Sequence, residues 1–536
     1  MDSNNITDSL AGEEKGDAVI GNVTMVGVLD PDASSGSLPV DWTPEEERKA
    51  VWKQIAVVMP LVILGFFSLQ LDRGNISQAL TGTLYKDVGI TQDQMNNGQS
   101  LLLVMIVLFE IPSNWILVRI GPKWWLGSQM IIWGVIAAAQ SAIRSPGAYY
   151  ATRVLLGIGE SGFIPGSIYY ISTMFTRAEQ AKLVAWFYVG NICGKGSSGL
   201  IAAGLLPLQG QHGIPGWAYI FLVEGIISIG IGILFLALIP TSARDCRTML
   251  GFRWFTARES HILHNRVIID DPLKEDPLAH FTKRNLAVVL GSWRLWLHVI
   301  FCIGGVACST AVNTYNAQVV KAMGYPTGKA NAMSSLGSWL QAPVTLLWGY
   351  AIHLITVTTL IHTRDRTRFK GPLMLLITAI MLVLNGSYYA LLTSTGAVKP
   401  ANQYAVYELI VAFGEPFFVG GLSWAVSTAR TPIQRSMYGA MYVMASNSGQ
   451  AIGGQMFRAS DAPKYLRGFA AALGVYGFCF ALAVAIILQY VYANKHGLGD
   501  AGKEGVAHLE VERSEHDRER GADADAEVRK VFHYPT

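Results

Sequence analysis

The chain has 536 residues, 51% of them hydrophobic and only 15% charged, with a formal net charge of +3. A soluble protein averages about 25% charged residues, so this composition excludes an ordinary soluble domain. The five cysteines, Cys193, Cys246, Cys302, Cys308 and Cys479, show no CxxC pairing, which excludes a disulfide framework and a cysteine metal site.

Residues 1–50 are polar and read as a disordered cytosolic tail. No cleavable signal peptide is evident, so the first apolar segment is its own insertion signal. Twelve apolar segments follow, each near the length that crosses a roughly 30 Å hydrocarbon layer as a helix. They lie at 52–80, 97–118, 124–143, 147–171, 180–206 and 216–240, then at 292–318, 332–360, 371–393, 403–429, 434–457 and 467–493. The polar stretch 241–290 separates a six-helix bundle at 51–240 from a second at 291–494. It is expected to be a cytosolic link, lying on the membrane or loosely structured. Residues 495–536 form a second polar tail.

The bases set the orientation. With the N-terminus inside, the short inner turns hold Arg119 and Lys123, Arg177 and Lys182, Arg364 to Lys370, and Arg430 and Arg435, and the link adds eight more bases. By the positive-inside rule both termini are cytosolic. The sequon at Asn75 then lies in or near a span and those at Asn5 and Asn22 face the cytosol, so none is expected to carry a glycan.

Two strings resemble nucleotide loops. "GIGESG", 157–162, fits GxGxxG, but that fingerprint needs a preceding strand, and here it sits in an apolar helical segment, where small residues let helices approach closely. "GNICGKG", 190–196, has one residue too few for a P-loop and lacks the Ser/Thr after Lys195. Both read as packing motifs.

Charges within spans are a different matter. "LQLDRGNIS", 69–77, puts Asp72 and Arg73 side by side after an apolar run. "ATRVLLGIGESGFIPG" puts Arg153 and Glu160 seven residues apart, on one face and roughly 10.5 Å apart along the axis. Gly157 between them reads as open space on that face. A bilayer tolerates such charges only where they face protein or water. The four therefore either line one polar cavity or lock helices together as ion pairs. Glu110, Glu224, Glu408, Glu415 and His298 read as packed or paired groups. Lys195 is the stronger candidate for a direct role. "VNTYNAQ", 312–318, and Asn447 offer uncharged hydrogen-bonding groups.

Twelve spans in two sets of six, joined by a polar link, resemble the major facilitator superfamily. That resemblance implies an all-α membrane protein with twelve transmembrane helices in two six-helix bundles. "NWILVRIGPKWW" is similar to the superfamily's turn after span two: Arg119, Gly121 and Lys123 match, while Asn114 and Val118 replace its first Gly and its Asp. The equivalent turn after span eight, "IHTRDRTR", keeps Asp365 and Arg366. The resemblance gives these turns a gating role through Arg119, Gly121, Asp365 and Arg366.

"LDRGNIS" together with R-x6-E in span four resembles the anion:cation symporter branch. "EIPSNWILVRIGPKWWL" and "RVLLGIGESGFIPG" look like its fungal allantoate-permease group. In that branch the first-span arginine binds a substrate carboxylate, and the neighbouring acid and the span-four glutamate take part in proton coupling. The resemblance implies those roles for Arg73, Asp72 and Glu160. Arg153 matches the span-four arginine of the branch and joins Arg73, Lys195 and Asn447 as an expected substrate-binding group.

A guanidinium grips a carboxylate with two parallel hydrogen bonds. An arriving anion and a proton on Asp72 or Glu160 compete over the same charge balance, so occupancy and protonation are linked. The leading expectation is a monomeric secondary transporter, in the plasma membrane, that moves a small organic anion with protons by alternating access. It would use no cofactor and no nucleic-acid partner. The alternatives are an exporter of a biosynthetic metabolite and a non-transporting nutrient sensor. No HExxH, paired metal ligands or nucleophile motif suggests an enzyme.

Overall fold

The computed structural model describes residues 41–243, 246–270, 289–362, 370–394, 399–429 and 432–495. The chain divides into a short unit, Met1–Thr43, and a main body from Pro44 onward. Every apolar segment is helical. The first half holds α1 (Pro44–Ala79), α2 (Leu84–Val88), α3 (Gln92–Ile120), α4 (Pro122–Ala139), α5 (Pro146–Glu160), α6 (Phe163–Met174), α7 (Arg177–Leu205) and α8 (Gly216–Leu238). The link contains α9 (Ala257–Asp270). The second half holds α10 (Trp293–Thr314), α11 (Asn316–Ala322), α12 (Thr327–His362), α13 (Lys370–Thr393), α14 (Pro400–Ser427), α15 (Pro432–Gly453) and α16 (Leu466–Lys495). Among the described residues the only β-feature is a single antiparallel bridge between Arg247 and Arg253.

Eight of the spans are long and apolar enough to cross a membrane by length and composition. Among the fully described spans, α4 falls short. α4, at 18 residues, is long enough but is diluted by Pro122, Lys123, Ser128 and Gln129, while α7, α12 and α15 lie where the halves meet, a place where polar residues can face protein instead of lipid.

The two halves repeat one packing plan. α1 packs on α7 and α8, as α10 packs on α15 and α16. α3 lies on α5 as α12 lies on α14, and α4 on α8 as α13 on α16. The halves meet through α7 against α12 and α3 against α15, so each cross-half pair joins the second span of one half to the fifth of the other. This is the arrangement of a repeat protein whose site lies at the interface of its repeats.

Cross-half hydrogen bonds gather at the end where α1 stops and α3 begins, opposite the link. Asn96 Nδ2 and Gln92 Nε2 donate to the Phe457 carbonyl at 2.9 and 3.1 Å, and Tyr315 donates its hydroxyl to Asn96. Asn331 Nδ2 reaches Thr81 Oγ1 at 2.7 Å and Ser100 Oγ reaches the Ala451 carbonyl at 2.7 Å. Phe457 and Tyr465 stack beneath this layer with centroids 4.8 Å apart. This far end is closed.

Three local features depart from the sequence reading. Span four is not one helix: Ser161 is extended and Gly162 has φ +75°, so α5 and α6 are separate. Ser113 Oγ and Gln129 Nε2 donate to the freed Ser161 carbonyl at 2.6 and 2.7 Å, supplying partners that a broken helix lacks. Gly157 does not leave open space: a Cβ there would lie 2.4 Å from the Leu102 carbonyl oxygen, so the glycine lets α5 press onto α3. The link is not wholly irregular either, because α9 buries Ile262, Leu263, Arg266 and Val267 along one face. The tails at 1–40 and 496–536, and the turn with Asp365 and Arg366, lie outside the described residues.

Candidate functional site

A cavity of about 250 Å³ lies between the halves. α1 and α7 supply Gln70, Arg73, Ser77, Asn191 and Lys195 to its wall, and α10 supplies Ser309, Thr310 and Asn313. Gln341, Glu415 and Asn447 come from α12, α14 and α15. Phe66, Tyr188 and Phe418 are its aromatic residues. Amides and hydroxyls dominate the rest, so the cavity suits a compact polar molecule with several hydrogen-bonding groups.

Two cations face this space, and each holds a carboxylate. Arg73 donates through Nε to Glu160 Oε2 at 2.7 Å. Glu160 is the last residue of α5 and its side chain is 1% exposed, against 16% for Arg73. The pair joins the first span to the fourth, as the sequence pattern suggested, and leaves the two terminal nitrogens of the guanidinium for other partners. Lys195 Nζ lies 3.3 Å from Glu415 Oε2, and Asn191 Nδ2 donates to Glu415 Oε1 at 3.1 Å. That second pair crosses from α7 to α14.

α7 can present Lys195 here because its other faces are small. A Cβ on Gly194 would lie 2.6 Å from the Phe67 carbonyl oxygen, so α7 sits directly on α1. The glycines of "GNICGKG" are thus packing surfaces, and the lysine between them turns to the cavity.

The remaining expected residues spread out from this centre. Asn447 lines the cavity. Asp72 is 3% exposed and does not line it; its Oδ2 accepts from Ser228 Oγ on α8 at 2.8 Å, and Oδ1 has no hydrogen-bond partner. Arg153 stands behind the wall, 2% exposed, donating to Gln140 and, at 3.5 Å, to Gln99, which does line the cavity. Its guanidinium lies over the Tyr149 ring, 5.1 Å from the centroid.

Arg119 and Gly121 sit away from the cavity, at the link end. Arg119 stacks on Trp115 at 3.8 Å. Gly121, with φ +94°, makes the corner between α3 and α4, and Lys123 just beyond it donates to the Arg247 carbonyl of the link at 3.3 Å.

Of the groups weighed as packed or paired, three find one partner inside the bundle, and Glu110 is buried with its Oε2 unpartnered. His298 hydrogen-bonds Tyr490 at 3.0 Å, and Glu408 accepts the Gly337 N–H at 2.7 Å. Glu224 accepts from Ser198 Oγ at 3.4 Å. Glu415 is the residue that sequence reasoning undervalued. Its signal was a carboxylate next to Pro416 in mid-span, and only the meeting of the halves gives it a partner.

Two alike six-helix halves around a polar, charged cavity define a membrane transporter. Residues 62–454 match the family model described as Major Facilitator Superfamily, and the chain belongs to that family. It is a multi-pass integral membrane protein and a transporter, not an enzyme. It is 28% identical to an uncharacterized transporter of Saccharomyces cerevisiae, over 85% of this chain and 82% of that one. Over 76% and 78% of the two chains it is 27% identical to the MFS-type transporter efuF of Hormonema carpetanum. A 190-residue stretch, 35% of this chain and 44% of the other, is 31% identical to an Agrobacterium vitis protein whose name proposes tartrate transport.

Among solved structures, a bacterial homologue of the lysosomal transporter Spinster, inward-facing and occupied, superposes with a TM-score of 0.58 at 14% identity. That match covers 82% of this chain and 97% of the other. The xylose transporter XylE of E. coli, partially occluded and inward-open, gives 0.56 at 16% identity, covering 82% and 99%. These likenesses establish the fold.

Proposed function

We propose that the protein is a proton-coupled importer of a small polar organic anion, of the allantoate-permease-like group in the anion:cation symporter branch. The observation that carries this reading is the Arg73–Glu160 pair, with Arg73 in the cavity wall and Glu160 buried behind it. A carboxylate substrate meets the free edge of the Arg73 guanidinium and forms the parallel hydrogen bonds that this fork favours. A proton on Glu160 releases Nε from its internal partner, so proton and anion enter the site together and leave it together. Asp72, one residue away and held by Ser228, is the second proton carrier. Lys195 and Asn447 orient the rest of the substrate, and Arg153 positions the wall through Gln99 and Gln140. The turn at Arg119 and Gly121, with its counterpart at Asp365 and Arg366, guides the rocking of the halves around this site.

The distribution of Lys and Arg supports a cytosolic link end with both tails on that side, in the plasma membrane. The protein works as a monomer. The relative named for tartrate supports an acidic substrate. The test is uptake by proteoliposomes under an imposed pH gradient, using allantoate, nicotinate, pantothenate, biotin, L-tartrate and citrate. Accumulation of one of these acids that collapses with the gradient is the expected result. Uptake of none, or uptake indifferent to the gradient, would overturn the reading. Counterflow and secretion assays separate import from export.

A further inference from the structure

Among the described residues, Lys195–Glu415 is the one ion pair that joins the two halves at the cavity. Arg73–Glu160 lies wholly within the first half, and the remaining pairs tie the link helix to α1 and α7. The bridging carboxylate is well seated. Glu415 uses both oxygens, one on Asn191 and one on Lys195, and its side chain is only 14% exposed. Lys195 is 30% exposed, so its ammonium remains open to the cavity. Pro416 follows Glu415 inside α14 and cannot donate a backbone hydrogen bond to the turn before it. The helix is therefore weakened beside the residue that reaches across.

We propose that Glu415 is an internal counter-ion that competes with the substrate's anionic group for Lys195, so that substrate binding itself unfastens the two halves at the cavity. The proposal rests on the anion reading above and adds a residue and a direction to it. In the empty site Glu415 neutralises Lys195 and holds α14 to α7. An arriving carboxylate takes a Lys195 N–H, Glu415 falls back on Asn191, and the ionic tie between the halves is gone. After release the bridge re-forms, so the empty carrier makes its return with Lys195 neutralised by Glu415 in the substrate's place. A ligand that must displace an internal partner binds with an affinity lowered by the fraction of time its site is free.

The two ends of the bridge therefore have opposite signatures. Lys195→Gln removes the group both anions want and weakens substrate binding. Glu415→Gln removes the competitor and tightens it. If Glu415 holds Lys195 for about nine tenths of the time, the tightening is about tenfold. An ion pair that merely holds the cavity in shape predicts weakening at both ends. The measurement is binding by the purified full chain, read as thermal stabilisation against concentration, with the six acids named above as probes. Should Glu415→Gln not fold, Glu415→Asp, which shortens the reach to Lys195, is expected to tighten binding by a smaller factor.

Tighter binding in the Glu415 variant and weaker binding in Lys195→Gln is the expected result. Equal or weaker binding in the Glu415 variant would overturn this proposal alone. Binding of no acid to the wild type or either variant would take the anion reading and this proposal down together.

Discussion

Glu160 ends α5 and holds Arg73 Nε at 2.7 Å, so the carboxylate and guanidinium of two different spans form one unit at the cavity wall. If Glu160 carries the coupling proton, Glu160→Gln mimics its protonated form at nearly constant size. The variant is expected to bind substrate and exchange it across the membrane, yet fail to concentrate it under a pH gradient. A helix lock predicts otherwise, because breaking a buried ion pair costs about 3–5 kcal/mol, and exchange and accumulation then fall together. Exchange and proton-driven uptake, measured side by side and normalised to folded protein, decide between them.

Arg73→Lys keeps the charge and loses the planar fork. Substrate affinity is expected to fall by about 10- to 100-fold, the equivalent of losing roughly 1.5–3 kcal/mol of charge-assisted hydrogen bonding. Protein level in the membrane should hold. Unchanged affinity in Arg73→Ala would make Arg73 a structural ion-pair member only.

The link helix is tied to the bundle by ion pairs. Arg266 donates to Glu47 on α1 at 2.9 Å and to both oxygens of Glu179 on α7, at 3.0 and 2.7 Å. Lys53 reaches Glu259 at 2.8 Å. Cys246, 4% exposed, lies against Ser260 of α9 and reports on this contact. Arg266→Gln is expected to speed alkylation of Cys246 by about tenfold, equivalent to roughly 1.4 kcal/mol of local opening. An unchanged rate would show that apolar packing alone holds α9.

The same clasp has a pH dependence of known sign. Partial burial pushes the Glu259 carboxyl up, but the Lys53 ammonium and the Thr256 backbone N–H outweigh it and hold the group below the ordinary glutamate range. A depressed carboxyl contributes stability above its unfolded value, about pH 4.3, and loses it as pH falls through the folded value. Cys246 alkylation, corrected for thiolate fraction, is expected to be flat near neutrality and to rise below about pH 4. Glu259→Gln should flatten that rise.

Gly162→Ala is expected to be strongly destabilising. Its φ of +75° costs an L-residue about 1–2 kcal/mol, and the new Cβ would meet Ser113 Oγ at 2.7 Å. Gly147→Ala, in the first turn of α5 with no neighbouring atom within 4 Å, is the control and should be neutral or better. Thermal midpoints of the two variants check this.

Orientation is testable at two exposed positions. Lys86→Cys on α2, at the far end, should react with an impermeant maleimide added to sealed right-side-out vesicles. His261→Cys on α9 should react only after permeabilisation. The reverse pattern would invert the topology.

The pairing of Arg73 with Glu160 was legible because its signals are local, although of the four charges expected to line the cavity only Arg73 does. "LDRGNIS" and R-x6-E each place charges in apolar runs, where few residue types are tolerated. Gly157 was misread because spacing shows which face a glycine occupies but not what fills it; the Leu102 carbonyl arrives from another helix. Glu415 and Asn191 are 224 residues apart, and nothing in either sequence neighbourhood names the other. The break at Gly162 was hidden because α5 and α6 together keep the apolar composition of one span. α9 was hidden by its polarity, although Ile262, Leu263, Arg266 and Val267 fall on one helical stripe.

The joint between α5 and α6 is cross-braced. Gln129 Nε2 donates to both the Gly159 and Ser161 carbonyls, at 3.2 and 2.7 Å, and Ser113 takes a hydrogen bond from Trp125 at 3.0 Å while giving one to Ser161. Such a joint is a weld, not an elbow. Glu160, one residue before it, cannot be carried to a new place by flexing its own span. In the mechanism proposed above Glu160 keeps its station relative to α3 and α4, and a proton on it changes sides only by the turning of the half-molecule as a body.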